Sequence, residues 1–367
     1  MTRTRRLIIG GVDTHASTHH AAVIDLKGRL LDDAEFAASP AGYAQLLIWM
    51  RERGQLQSVG IEGTGAYGAG LARHLHEKGV TVLEVPRPER RLRRQHGKSD
   101  PLDAEAAART VLAGNASGAP KLATGPIEAI RMLRVARTGA VKAKTAAANT
   151  LQAVLVTAPE PLRSQLRTLS TSKLIAACLR FRPDTDSLHD PVQAAKLSLR
   201  SIATRARALD AEARSLKRQL DALTAAAAPA TTAVFGLGPD TVSALLIAIG
   251  DNPDRLRSEA AFAHLCGVAP IPASSGKTHR HRLHRGGDRS GNRALHIAVV
   301  VRLRYHQRSR DYAARRTTEG LSMPEIIRCQ KRYLAPRGLH RAASRLRRNH
   351  HLTIYRSVLA LSLRQTR

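Results

Sequence analysis

The stretch Lys98-Ser99-Asp100-Pro101-Leu102-Asp103-Ala104-Glu105 constrains this chain more than any other. Proline presets φ and lacks an N–H, so Asp100-Pro101 suits the first turn of a helix. Ala104 to Val111 then reads as its continuation. Asp100 and Asp103 are three apart, which sets both carboxylates on one face at the helix start. Capping and the helix dipole account for one such acid. The chain also places Asp13 and Glu62 at the ends of two apolar runs. Four carboxylates gathered at one sheet edge repel each other unless a cation lies between them. Asp13, Glu62, Asp100 and Asp103 are therefore a candidate metal site.

The elements before this stretch give the acids a frame. Leu7 to Val12 reads as a buried strand ending at Asp13. Ala21 to Leu26 and Leu30 to Phe36, turned at Lys27-Gly28, complete an antiparallel meander. Ser39-Pro40 is an N-cap followed by proline at N1, starting a helix to about Arg53. Ser58 to Ile61 is a fourth strand ending at Glu62, followed by a helix over roughly Tyr67 to Glu77 and a fifth strand over Val80 to Val85. The order, a three-strand meander and then βαβ crossovers, is the ribonuclease H-like arrangement, where such acids meet in metal-dependent nucleases. Gly63-Thr64-Gly65 reads as a strand-to-helix turn, with a phosphate cradle as the alternative.

Charge points to the partner. The 367 residues carry 59 Lys+Arg against 29 Asp+Glu, a formal net charge of +30, which favours a polyanion such as nucleic acid. Aromatic residues make up 3%, too few for base stacking to dominate recognition. Arg87, Arg90, Arg91, Arg93, Arg94 and Lys98 stand beside the acidic stretch with one acid, Glu89, among them. They read either as a solvated face or as contacts to a phosphate backbone. Cys178, Cys266 and Cys329 are widely spaced and fit reduced thiols in a cytoplasmic, soluble protein. No apolar run reaches membrane-spanning length.

Residues 127–158 and 191–226 are Ala/Leu/Arg-rich with few breakers and read as long helices. Leu199, Ile202, Ala206, Leu209, Ala213, Leu216, Leu220 and Leu223 recur at three- and four-residue steps, as in a helical hairpin or coiled coil. Phe235-Gly236-Leu237-Gly238-Pro239-Asp240 has the form of a helix-hairpin-helix turn. There, Gly236 and Gly238 would offer backbone N–H groups to phosphate, or the turn simply joins two packed helices. Next comes Pro272-Ala273-Ser274-Ser275-Gly276-Lys277. From Gly276 to Arg310 ten Lys/Arg face one acid, Asp288. They include Lys277, Arg280, Arg282, Arg285, Arg289 and Arg293. A serine in a Gly-flanked loop among cations suits attack on a phosphate, since cations offset the charge of the pentavalent phosphorus. A basic phosphate-binding loop with an incidental serine is the other reading. His279, His281 and His284 read as nucleic-acid contacts or weak bases.

Asp13, Glu62 and SDPLDA, with PASSGK, HRGGDRSGNRALH, RLRYH and EIIRCQKRY, resemble the transposases of the one-ten insertion-sequence family, which includes the pilin-gene invertases. The resemblance covers roughly residues 6 to 335, with both sets of motifs in order. It implies an α/β plus α fold class: a RuvC-like (ribonuclease H-like) DEDD domain over 1–125, a long helical, coiled-coil region over 126–228, and a mainly helical C-terminal transposase domain over 229–343. A basic tail over 344–367 follows. It implies Mg²⁺ bound by Asp13, Glu62, Asp100 and Asp103, and a covalent serine–DNA link at Ser275, with Ser274 as runner-up. It also implies a composite site, a homo-oligomer (dimer or tetramer) and an element-encoded guide RNA pairing with donor and target DNA, beside a protein that holds backbones. The tail after about Pro336, with RAASRLRRNHHLTIYRS, departs from the family's pattern. The alternatives are a DEDD endonuclease that cuts with water and a catalytically decayed nucleic-acid-binding copy.

Overall fold

The computed structural model describes residues 6–86, 99–116, 118–252, 256, 258–276 and 281–335. Arg87, Arg90, Arg91, Arg93, Arg94 and Lys98, as well as Lys277, Arg280 and the tail, lie outside the described residues. Among the described residues the chain divides into two compact units, one built on residues up to Gly125 with Ile249–Phe262, the other on Pro126–Ala248 and residues 263–335.

The first unit is a five-stranded mixed sheet with helices on both faces. Its strands are β1 (Leu7–Thr14), β2 (Thr18–Asp25), β3 (Leu30–Ala37), β4 (Gln55–Glu62) and β5 (Val82–Val85), in spatial order β3-β2-β1-β4-β5. β1–β2 and β2–β3 are antiparallel, while β1–β4 and β4–β5 are parallel. This is the meander and crossover order that the sequence predicts. Edge strand β3 carries charge that blunts it against stray pairing, and its Asp32 and Asp33 are held by Arg53 and His20, each at 2.6 Å. Helix α1 (Pro40–Arg53) starts where Ser39-Pro40 predicts, the Ser39 hydroxyl accepting from the Gly42 N–H at 3.2 Å. Helix α2 (Ala69–Glu77) begins two residues later than predicted. Gly63 is the reason: it takes φ +72° and opens a turn in which the Ala66 N–H donates to the Gly63 carbonyl at 2.8 Å.

Side-chain alternation splits the sheet into two cores. Ile8, Val12, Val59 and Ile61 pack with Leu46, Met50, Leu71 and Leu75 of α1 and α2. On the other face Ile9, Ile24 and Val85 meet Ala107, Ala108 and Val111 of helix α3 (Asp100–Leu112). That second interface is backbone-close. A Cβ placed on Gly11 would overlap the Ala104 carbonyl oxygen and the Ala108 nitrogen. One on Gly60 would come within 2.6 Å of Val111 Cγ2 and 2.8 Å of the Ala107 carbonyl oxygen. Two glycines on the sheet and small residues on the helix thus let α3 lie directly on β1 and β4.

The second unit is mainly helical. Helices α4 (Pro126–Thr157) and α7 (Pro191–Ala227) pack along each other, with α5 (Glu160–Leu166) and α6 (Thr171–Cys178) between them in sequence. Leu151 and Leu155, late in α4, share a core with Leu199 and Ala203, early in α7, so the pair is an antiparallel hairpin. The buried seam of α7 runs through Leu199, Ala203, Ala206, Ala213, Leu220 and Thr224. It is rotated from the predicted stripe: Ile202, Leu209 and Leu216 lie at its flank and Leu223 is exposed. Ala203, Ala206 and Ala213 of α7 and Ala140 and Ala147 of α4 are buried, small residues that allow close approach of the two helices, and Lys144 holds Asp210 at 2.8 Å.

Beyond the hairpin lie α8 (Pro229–Thr232), α9 (Pro239–Ile249), α10 (Glu259–Leu265), the short strands β6 (Ile271–Pro272) and β7 (His281–Arg282), α11 (Arg289–Tyr305), α12 (Gln307–Thr318) and a last helix, α13, over residues 323–335. Among the described residues no helix is long and apolar enough to cross a membrane.

The close seat of α3 yields a prediction. Gly11→Ala destabilises the fold by about 1–3 kcal/mol through overpacking. Gly65→Ala, where a Cβ meets nothing within 4 Å, costs much less. Equilibrium unfolding in urea distinguishes the two; equal stabilities would contradict the packing account.

Candidate functional site

Strand β1 carries Asp13 to its end as a buried carboxylate, 8% exposed. Asp13 follows Gly11 by two residues and so faces α3; Glu62 follows Gly60 by two on β4 and shares that face. Helix α3 opens at Ser99, which occupies the N-cap with extended backbone, and Asp100 and Asp103 both fall in the first turn. Asp103 is buried, and its N–H donates to the Ser99 carbonyl at 3.0 Å. The seat of α3 on Gly11 and Gly60 therefore fixes where its acids stand.

The donor atoms of Asp13, His15 and Asp100 lie within 4.8 Å of one another. His15 Nδ1 is 3.8 Å from an Asp13 oxygen, and its Nε2 is 3.9 Å from an Asp100 oxygen. Both separations are too long for hydrogen bonds and leave room for a shared partner. Burial pushes the Asp13 carboxyl above its ordinary value; nearby Asp103 and Asp100 push the same way, against His15. Carboxylates crowded out of water want positive charge. The α3 N-terminus supplies some of it, and a divalent cation would supply the rest. Three of the four predicted acids thus converge. Glu62 is half-buried on the same sheet face, outside the 4.8 Å group, and the Thr14 hydroxyl donates to its backbone carbonyl at 2.8 Å.

Sequence reasoning missed His15. It is one of 16 histidines, and only its place two residues after the strand-end acid sets it apart. Thr64 is buried and its hydroxyl donates to the Glu84 carboxylate at 3.0 Å, so Gly63–Gly65 is a packed turn.

In the second unit, Ser274 and Ser275 are exposed beyond β6, on the segment that returns as β7. Arg282, Arg285, Arg289 and Arg293 are likewise exposed. Gly236 takes φ +85° and packs toward the Ala298 carbonyl oxygen and the Arg302 side chain. The Arg302 guanidinium is buried there and donates to the Phe235 carbonyl at 2.9 Å. Gly238 is exposed, with open space where a Cβ would be.

Two transposase family models match this chain in succession. A DEDD transposase family model, described as "Transposase", matches residues 10–158. A second, described as "Transposase IS116/IS110/IS902 family", matches residues 230–314. The "Insertion element IS110 uncharacterized 43.6 kDa protein" of Streptomyces coelicolor is 31% identical over 130 residues, 35% of this chain and 32% of that protein. The chain therefore matches about a third of that curated relative's length. Among solved structures, T. thermophilus RuvC in complex with Holliday junction substrate is similar at 15% identity and a TM-score of 0.24, over 30% of this chain and 98% of that chain. With both family matches in order along one chain, the acidic unit first and the serine-bearing unit second, the chain belongs to the IS116/IS110/IS902 family of transposases.

Proposed function

We propose that this chain is a DNA transposase that cuts and rejoins strands through a covalent serine–DNA intermediate. The observation that carries this reading is the buried strand-end Asp13, brought together with Asp100 and His15 beside Asp103 at the start of α3. Family membership supports it. Asp13, Asp100 and Asp103, with Glu62 on the same face, would hold Mg²⁺ in a RuvC-like domain, and His15 adds a nitrogen donor. Such a cation offsets phosphate charge and readies an oxygen for attack or departure. The Ser275 hydroxyl oxygen (Ser274 if the doublet is used the other way) attacks a backbone phosphorus. Its proton passes to a base and a sugar oxygen leaves. Attack by a new sugar hydroxyl reverses the step, frees the serine and joins the strands.

Exposed Arg282, Arg285, Arg289 and Arg293 hold the backbone, together with Lys277, Arg280 and the Arg87–Lys98 run. Gly238 is better disposed toward a phosphate than Gly236, which is turned into the protein. The excess of cations also suits a guide RNA that selects sequence by pairing, and an oligomer that completes the site from more than one copy.

The test is incubation of the purified chain and its RNA with labelled donor and target DNA and Mg²⁺, followed by a denaturing protein gel. A labelled adduct that vanishes in Ser275→Ala is the expected result. Cut DNA without an adduct would instead support a metal-dependent endonuclease, since the acid cluster is assembled within one unit. Tight binding without cutting would support a decayed copy.

Two predictions concern the cation. At a free concentration a hundredfold above its Kd, a divalent ion stabilises the fold by about 2.7 kcal/mol. Thermal melts in Mg²⁺ and in chelator should show that gain in the unaltered chain and lose it in Asp13→Asn; a variant that keeps it would contradict the site. His15→Ala should weaken Ni²⁺ binding several-fold more than Mg²⁺ binding, because imidazole suits nickel while carboxylate and water suit magnesium. Equal losses in calorimetric titrations would remove His15 from the ligand set.

A further inference from the structure

A cavity of about 600 Å³ lies in the second unit, at the root of the β6–β7 segment whose far end carries Ser274 and Ser275. Its walls include Pro270 and Leu283 from that segment, and Arg316, Arg328, Lys331 and Arg332 from α12 and α13. Glu319 pairs with Arg316, and Glu325 sits 3.7 Å from Arg328. Among the described residues Lys331 has no such neighbour. It is 6% exposed, and its ammonium donates to the Asn292 side-chain oxygen at 2.8 Å. That amide is neutral and already committed, its nitrogen donating to the Cys266 and Gly267 carbonyls at 2.8 and 3.0 Å.

An ammonium has three donors, and among the described residues Asn292 is the one partner Lys331 has. Burying a cation beside a neutral amide costs stability unless a counter-charge arrives. Burial and the adjacent Arg328 accordingly hold the Lys331 ammonium below the ordinary lysine value. Among the described residues no carboxylate pairs with Arg282 or Arg332 either, and both line the same cavity. The missing partner is therefore an anion. The volume is that of a nucleotide-sized ligand site rather than of a bare ion. The ring of Tyr333, 63% exposed, stands at the wall as a surface for a base.

We propose that this cavity seats one nucleotide of a DNA strand, its phosphodiester held by Lys331 and Arg332 and its base laid on Tyr333. The proposal rests on the reading of the chain as a DNA-processing enzyme and adds a seat for the strand at the root of the serine-bearing segment. Lys331 acts as a positioning residue for that strand.

Fluorescence anisotropy with the full chain tests it, using a labelled single-stranded DNA oligonucleotide, an RNA of the same sequence, and a salt titration. Lys331→Met keeps the buried stem while removing the charge. Arg332→Gln and Tyr333→Ala alter more accessible groups and guard against misfolding of the first variant. Each charge variant should weaken DNA binding about five- to tenfold at low salt and lower the slope of log K against log salt by about 0.7. Tyr333→Ala should weaken binding about tenfold with the slope unchanged. Binding of DNA by the unaltered chain and equally by all three variants would overturn the pocket alone. Loss confined to the RNA probe would overturn the assignment to DNA. Failure of the unaltered chain to bind DNA at all would overturn the functional reading on which the pocket rests.

Discussion

The first unit depends on one contact: helix α3 seated close on the sheet at Gly11 and Gly60, where a Cβ on either glycine would clash. Helix-on-sheet packing ordinarily leaves a layer of apolar side chains between the two elements. Here, at Gly11, the layer is reduced to glycine against the backbone of Ala104 and Ala108, and the first turn of α3 arrives beside the end of β1 as a result. Asp100 and Asp103 belong to the helix, while Asp13 belongs to the strand. Their proximity is set by packing that begins at the residue after Asp103 and runs about two turns further along the helix. The acids could not arrange themselves, because their charges oppose the arrangement.

In the second unit, small residues in the hairpin seam again allow close approach, and the opposite charges of Lys144 and Asp210 tie its two helices together. Around α11 the logic is different. Asn292 and Arg302, both on that helix, hold the loop at Cys266–Gly267 and the turn at Phe235–Gly236 by donating to their carbonyls. A polar residue within a helix thus fixes each loop that leads toward the exposed basic surface.

Much of this was legible in the residues. A single strand-end Asp13 after an apolar run, Ser39-Pro40 before a helix, and uninterrupted Ala/Leu-rich segments each carry a local physical cause, and the structure places their elements accordingly. The errors have a shared origin. A helical period marks a stripe of large apolar residues, yet the seam of α7 follows where alanines permit closest approach, so Leu223 is left outside. His15 joins the acids because a strand end and a helix start meet in space, and Lys331 reaches Asn292 across 39 positions. No local pattern encodes either. The glycines of Gly10-Gly11 were visible as letters, but their purpose becomes apparent only with α3 in place.

Helix α7 also has a mechanical meaning. At 37 residues and 1.5 Å per residue it is about 55 Å long, and α4 braces it along much of that length. A braced rod of this kind resists bending, so a push at Thr224 is delivered at Leu199 with little loss. Its span is close to that of sixteen stacked base pairs at about 3.4 Å each. The hairpin is thus a strut of about that span within the second unit.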